Sequence, residues 1–175
     1  MAEFRVYRSE SEVSGQVMLD SIHAMGRAAR SVVNRHIVND LAPGGWYSQQ
    51  TWLDILRDAA EEAQLDLLTV GNRVAANLKI PDGVFSLERL LELVDANYQM
   101  THNHADPVCL RATKVAEREV HIVDNSPYPD EFHCGLLFGL FQRLMPLDAN
   151  LKIRYDTSTP TRRDGADVTT YIISW

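Results

Sequence analysis

Cysteine is scarce in this chain: Cys109 and Cys134 are the only two among 175 residues. A disulfide-stapled fold needs several pairs, so that class is excluded and a reducing compartment is expected. Long apolar runs are missing as well. The longest beside any helical pattern is CGLLFGLF, residues 134–141, against the ~20 residues of a membrane span. The opening MAEFRVYRSESE has no apolar block of the kind a secretory signal requires. Positive charge is thin, since 17 Lys and Arg against 24 Asp and Glu leave a net charge of −7. Binding to phosphates needs a concentrated basic face, so nucleic acid is excluded as a partner. Arg27, Arg30 and Arg35 with His36 are spread along a helical stretch and read as a solvated face. No Gly-x-Ser-x-Gly elbow, phosphate-cradling glycine loop or Cys-x-x-Cys pair occurs, and no local arrangement of Ser, His and Asp picks out a triad. These absences point to an acidic cytoplasmic protein, neither membrane-bound nor an obvious enzyme.

What is present is helical periodicity followed by strands. Apolar residues recur at helical spacing from Val13 to Leu41, with Gly26 either dividing the stretch or tolerated within it. The string APGGW, 42–46, stops that pattern. A second helix is expected behind Ser48 or Thr51 as N-cap, burying Trp52, Ile55, Leu56, Ala59 and Ala63. A third spans Leu67–Leu78. A fourth begins near Ser86, with Leu87, Leu90, Leu91, Val94 and Tyr98 on one side. After Asp106-Pro107, CLRATKV and EREVHIVD predict a hairpin, being short, partly alternating and rich in β-branched residues. NSPYPD is a turn-rich break, and FHCGLLFGLFQRLM, 132–145, is an apolar helix. ANLKIRYDTS and DVTTYIISW then form a strand pair joined by the polar loop TPTRRDGA. The expected fold class is α+β, an N-terminal helical half packed on a C-terminal four-stranded antiparallel sheet of ββαββ order. Gly135 and Gly139, one turn apart, are expected to admit close helix-on-sheet packing.

The order of elements, with GGWYSQQTWLDILRDA, LLTVGNRVA and FHCGLLFGLFQRL, resembles the superfamily of heme nitric-oxide/oxygen-binding (H-NOX) domains. That superfamily includes the 4-vinyl-reductase-type sensor domains and the vesicle-transport proteins related to them. The likeness spans residues 13–175 and implies one sensor domain there, helical over 13–106 and ββαββ over 107–175, after an N-terminal segment 1–12. Heme-binding members carry a proximal histidine on the long helix before the sheet and a Tyr-x-Ser-x-Arg motif for the propionates. Tyr98 and His102 lie four apart where that histidine falls. The motif does not occur; its place reads HIVDNSPYP. Without the arginine the propionates lack their bidentate partner, so the resemblance implies a heme-free member whose cofactor, if any, is undetermined.

The richest cluster of donor atoms is THNHADPVC, 101–109. It resembles the metallo-β-lactamase string Thr-His-x-His-x-Asp-His, but Pro107 replaces the last histidine and a helical pattern precedes it. His102, His104 and Cys109 are one alternative, a three-ligand metal site. In the other, His102 caps the helix end as a cation facing carbonyls, and residues 104–107 form the exit loop. Trp46 either walls a cavity or staples the second helix. His121 alternates with Val120 and Ile122, which places it on the far face of its strand. His133 and Cys134 either edge a pocket or sit at the core boundary, and Cys134 near a helix N-terminus is expected to have a lowered pKa.

The expected function is a small-molecule-sensing or regulatory domain with an apolar cavity between helices and sheet. Its candidate ligand-binding residues are Trp46, Tyr98, His102, His121, Tyr128, His133 and Cys134. Output would pass through a homodimer or a signalling partner. The alternatives are a heme- or metal-dependent gas sensor acting through His102 and a protein-interaction module without ligand.

Overall fold

The computed structural model describes residues 3–37, 41–80, 86–105, 110–145 and 148–175. Polar side chains set the helix starts. Ser14 Oγ accepts from Val17 N ahead of α1 (Gly15–Met25), and Ser48 Oγ accepts from Thr51 N ahead of α3 (Gln49–Glu61). Asp66 caps α4 (Leu67–Asn77), and Ser86 caps α5 (Leu87–Thr101). Each removes an orphaned amide of the first turn. Gly26 at φ +73° ends α1, and a 3₁₀ turn leads into α2 (Arg30–His36). The continuous periodicity from Val13 therefore becomes two helices.

Val13 itself is not helical. It lies on β1 (Glu12–Ser14), the centre of a small antiparallel sheet with β2 (Trp46–Ser48) and β3 (His102–Asn103). Val13 pairs with Tyr47 on one side and His102 on the other. A strand this short has no period of its own, so the adjoining helical pattern absorbed it.

The C-terminal half has the expected ββαββ order: β4 (Leu110–Ala116), β5 (Glu119–Asp124), α6 (Asp130–Leu144), β6 (Lys152–Tyr155) and β7 (Thr169–Ser174). The four strands form an antiparallel sheet ordered β4-β5-β7-β6. Val120, Ile122, Tyr171 and Ile173 turn inward against Leu137 and Phe141 of α6. The opposite side of α6 carries Leu136 and Leu140 against Ala75 and Leu90. A helix apolar on nearly every side is a buried helix, and α6 is the partition between the helical half and the sheet.

Close approach of α4 to α6 depends on glycine. A Cβ on Gly71 would stand 2.0 Å from the Phe132 carbonyl oxygen, and one on Gly135 would stand 1.9 Å from that of Leu68. Gly139 likewise faces Asn72 and Ala75. These glycines serve helix-on-helix contact, not the helix-on-sheet packing expected for Gly135 and Gly139. At the N-terminus Phe4 and Val6 pack on the helical core, with Gln50 bonded to the backbone of both. Among the described residues no helix is long and apolar enough to cross a membrane.

Candidate functional site

A cavity of about 340 Å³ opens among α1, α4, α5 and α6. Most of its wall is apolar, and Tyr98, His102, Tyr128 and His133 form a polar cluster along it. It is bounded by helices: among the described residues, Leu110 is the one lining residue from a strand of the large sheet. The expected position between helices and sheet is corrected accordingly, because α6 fills that space.

His102 ends α5 and is buried. Its Nδ1 lies 3.0 Å from the Tyr98 carbonyl, which can only accept, so Nδ1 carries the hydrogen. Burial lowers the imidazole pKa to about 4, so the ring is neutral and Nε2 is an acceptor. The Tyr128 hydroxyl donates to it at 2.8 Å. The expected cap is present, though as a neutral ring and not a cation. Tyr98 stacks on the imidazole with centroids 3.8 Å apart, and its own hydroxyl accepts from Gln49 Nε2 at 3.1 Å. Burial, then the neighbouring Tyr98, pushes the Tyr128 phenol well above its ordinary value. The Trp52 indole N–H lies near that hydroxyl and has no hydrogen-bond partner among the described residues.

His133, one turn into α6, lies parallel to Tyr128 with centroids 5.5 Å apart and planes 9° apart. Its Nδ1 meets Asp124 Oδ2 at 2.6 Å and Ser126 Oγ at 3.1 Å. Behind it is a buried ion cluster. The Arg162 guanidinium donates to Asp130 Oδ1, to Asp124 Oδ2 at 3.2 Å, and to the backbone carbonyl and hydroxyl of Ser126. Thr169 Oγ1 donates to Asp130 Oδ1 at 2.8 Å. Burial acts to raise the Asp124 pKa, but His133 and Arg162 overcome it and hold the carboxyl well below the usual range. Asp130 Oδ2 has no hydrogen-bond partner among the described residues.

The structure brings Tyr98, His102, Tyr128 and His133 to one cavity and leaves three candidates away from it. Trp46 is exposed on β2. His121 sits on the outer face of β5, 3.1 Å from Glu119. Cys134 turns into the sheet-side core beside Tyr155. The lowered thiol pKa expected of Cys134 is reversed: burial first, then Glu131 and Asp130, push it up to about 11. Of the metal alternative, Cys109 lies outside the described residues, and among those described no three His, Cys, Asp or Glu side chains are placed to hold a metal. Sequence reasoning passed over Asp124, Ser126, Asp130 and Arg162. Their signal was charge inside two turn-rich segments, DNSPYPD and TPTRRDGA, which composition alone reads as solvated loops.

A helical half joined through one buried helix to a ββαββ sheet, with a histidine at the end of the long helix, is the H-NOX-like fold. Solved structures of that kind match nearly the whole chain. A Tt H-NOX variant has 13% identity, covers 93% of this chain and 94% of its own, and gives a TM-score of 0.69. An H-NOX protein mutant from S. oneidensis in the Fe(II) ligation state has 16% identity, with 92% and 95% covered and a TM-score of 0.65. An oxygen-binding H-NOX domain related to soluble guanylate cyclases has 15% identity, with 92% and 94% covered and a TM-score of 0.64. No family model and no curated protein sequence matches. Identities this low establish the fold alone.

Proposed function

We propose that this chain is a small-molecule-sensing or regulatory domain whose effector occupies the helix-bounded cavity. The observation that carries the reading is the cavity's make-up. Its volume of about 340 Å³ lies at the small end of the ~300–1,000 Å³ typical of ligand sites. Most of its wall is apolar, and Tyr98, His102, Tyr128 and His133 form a polar cluster along it. Four helices line it, so a ligand that fits one of their arrangements better than another shifts the population toward it. Output through self-association or a separate partner belongs to the same proposal, as does a cytoplasmic location.

Heme comes into question because similar solved structures concern heme redox potential and an oxygen-binding H-NOX domain. The residues here fit it poorly. Both nitrogens of His102 are engaged, with Tyr128 on Nε2 and Tyr98 on Nδ1. No arginine is among the described residues that line the cavity, and Arg162 is committed to Asp124 and Asp130. Among the described lining residues, propionates would meet Asp20 and Asp95, with Lys79 as the one lysine or arginine. We therefore infer an effector other than heme.

A thermal-shift screen of small apolar metabolites tests this. A compound at about 100 times its Kd should raise Tm by roughly 5–10 °C, and Val94→Trp, which fills the cavity, should abolish that shift. The reading fails if no compound stabilises the protein, or if the tryptophan variant responds as wild type does.

A further inference from the structure

The two histidines at the cavity's polar cluster differ in what they leave available. Each carries hydrogen on Nδ1, fixed by a group that can only accept: the Tyr98 carbonyl for His102 and the Asp124 carboxylate for His133. On His102 the second nitrogen is taken by Tyr128. Among the described residues the bonds of His133 all run through Nδ1, to Asp124 and Ser126. Its side chain is more than nine-tenths buried and lines the cavity. Nε2 of His133 is therefore the cavity's uncommitted ring nitrogen.

The charges behind His133 decide what that nitrogen presents. Asp124 at the end of β5 and Asp130 at the start of α6 face one guanidinium, Arg162, and all three are buried. Two carboxylates against one cation leave a buried negative charge beside the His133 ring. Buried charge persists where it is paired. The rings beside His133 add no charge of their own: Tyr128 and Phe132 flank it, and His102 on α5 is held neutral by the contacts above.

We propose that a second proton on His133 balances that charge and makes Nε2 an N–H donor, and that the effector is an apolar molecule ending in one acceptor oxygen, a carbonyl or carboxylate, which accepts from it. Its apolar remainder lies along Val74, Leu78, Leu90, Val94, Leu136 and Leu140, all of which line the cavity. This rests on the cavity being the ligand site. Asp124 and Arg162 act as positioning residues, the first orienting the imidazole and the second holding Asp124.

The test titrates ¹⁵N-labelled wild-type protein with four probes of similar length: 2-octanone, octanoate, octylammonium, and 2-methyl-1-octene, which copies the ketone's shape without its oxygen. A hydrogen bond to a charged donor should make the ketone at least about tenfold tighter than the alkene. Octylammonium, which can only donate, should bind weakest. The His133 Nε2 resonance should move with ketone and octanoate and stay fixed with the alkene. His133→Gln should bring ketone and alkene within about threefold, and the wild-type comparison decides the matter if that variant does not fold. Equal affinity for ketone and alkene with a stationary Nε2 signal overturns the proposal and leaves the cavity reading standing. Tightest binding by octylammonium overturns it too, since Nε2 would then be an acceptor. Failure of all four probes to bind overturns both.

Discussion

The Tyr128 hydroxyl reaches across 26 positions of sequence to donate to Nε2 of His102 at 2.8 Å. That contact joins the end of α5 to the segment that leads into α6. It also determines the histidine's state, because a ring donating from Nδ1 and accepting at Nε2 is the neutral tautomer.

From this state follows a pH dependence. His102 has an ordinary value of 6.5 and a folded value of about 4, lowered by burial. Between those values the unfolded chain binds a proton that the native chain refuses. Stability therefore rises with pH across that window and declines as pH falls from about 6.5 toward 4. The span is on the order of 3 kcal/mol. Asp124, with its lowered pKa, adds a separate loss only below about pH 4. Urea unfolding at pH 7.5, 6 and 5 checks the sign, and His102→Gln should flatten the profile in this range.

Arg162 and Arg163 are adjacent in sequence and opposite in consequence. Arg162 is buried between Asp124 and Asp130, so Arg162→Met should cost about 3–5 kcal/mol by stranding two carboxylates. Arg162→Lys keeps the charge but loses the planar fork, and should recover only part of that cost. Arg163 pairs with Glu131 at 2.7 Å while largely exposed, and Arg163→Ala should cost less than about 1 kcal/mol. Urea midpoints at constant m-value test the contrast. Similar losses for the two arginines would contradict the burial argument.

Gly71→Ala and Gly135→Ala should each destabilise by about 1–3 kcal/mol, because the added Cβ meets backbone oxygen on the facing helix. The double variant should lose less than the two losses combined, since one separation of α4 from α6 relieves both clashes. Strict additivity in chemical denaturation would mean that the two sites do not share that helix contact.

Several features were legible because they are local. Ser48 and Ser86 start helices through a bond to the third residue onward, a relation written wholly within four positions. The apolar stripe Trp52, Ile55, Leu56 and Ala59 needs only the helical period. Tyr98 and His102 were recoverable as a pair for the same reason, being four apart on one helix. Val13 was not, because three residues of strand acquire meaning only from Tyr47 and His102 across the ladder. Arg162 was not either: TPTRRDGA has turn composition, and nothing local reports that one of its two arginines folds beneath the loop to meet carboxylates 32 and 38 positions away.

By itself the sequence determined the longer helices and the four strands of the large sheet, their order, the caps at Ser48 and Ser86 and the α+β class, since each depends on periodicity or on contacts within a turn of chain. Tertiary structure alone decided where the cavity lies, which histidine has an uncommitted nitrogen, and that Cys134 turns into the core and holds its proton. Those outcomes depend on burial and on partners drawn from distant segments, and both are properties of packing in space.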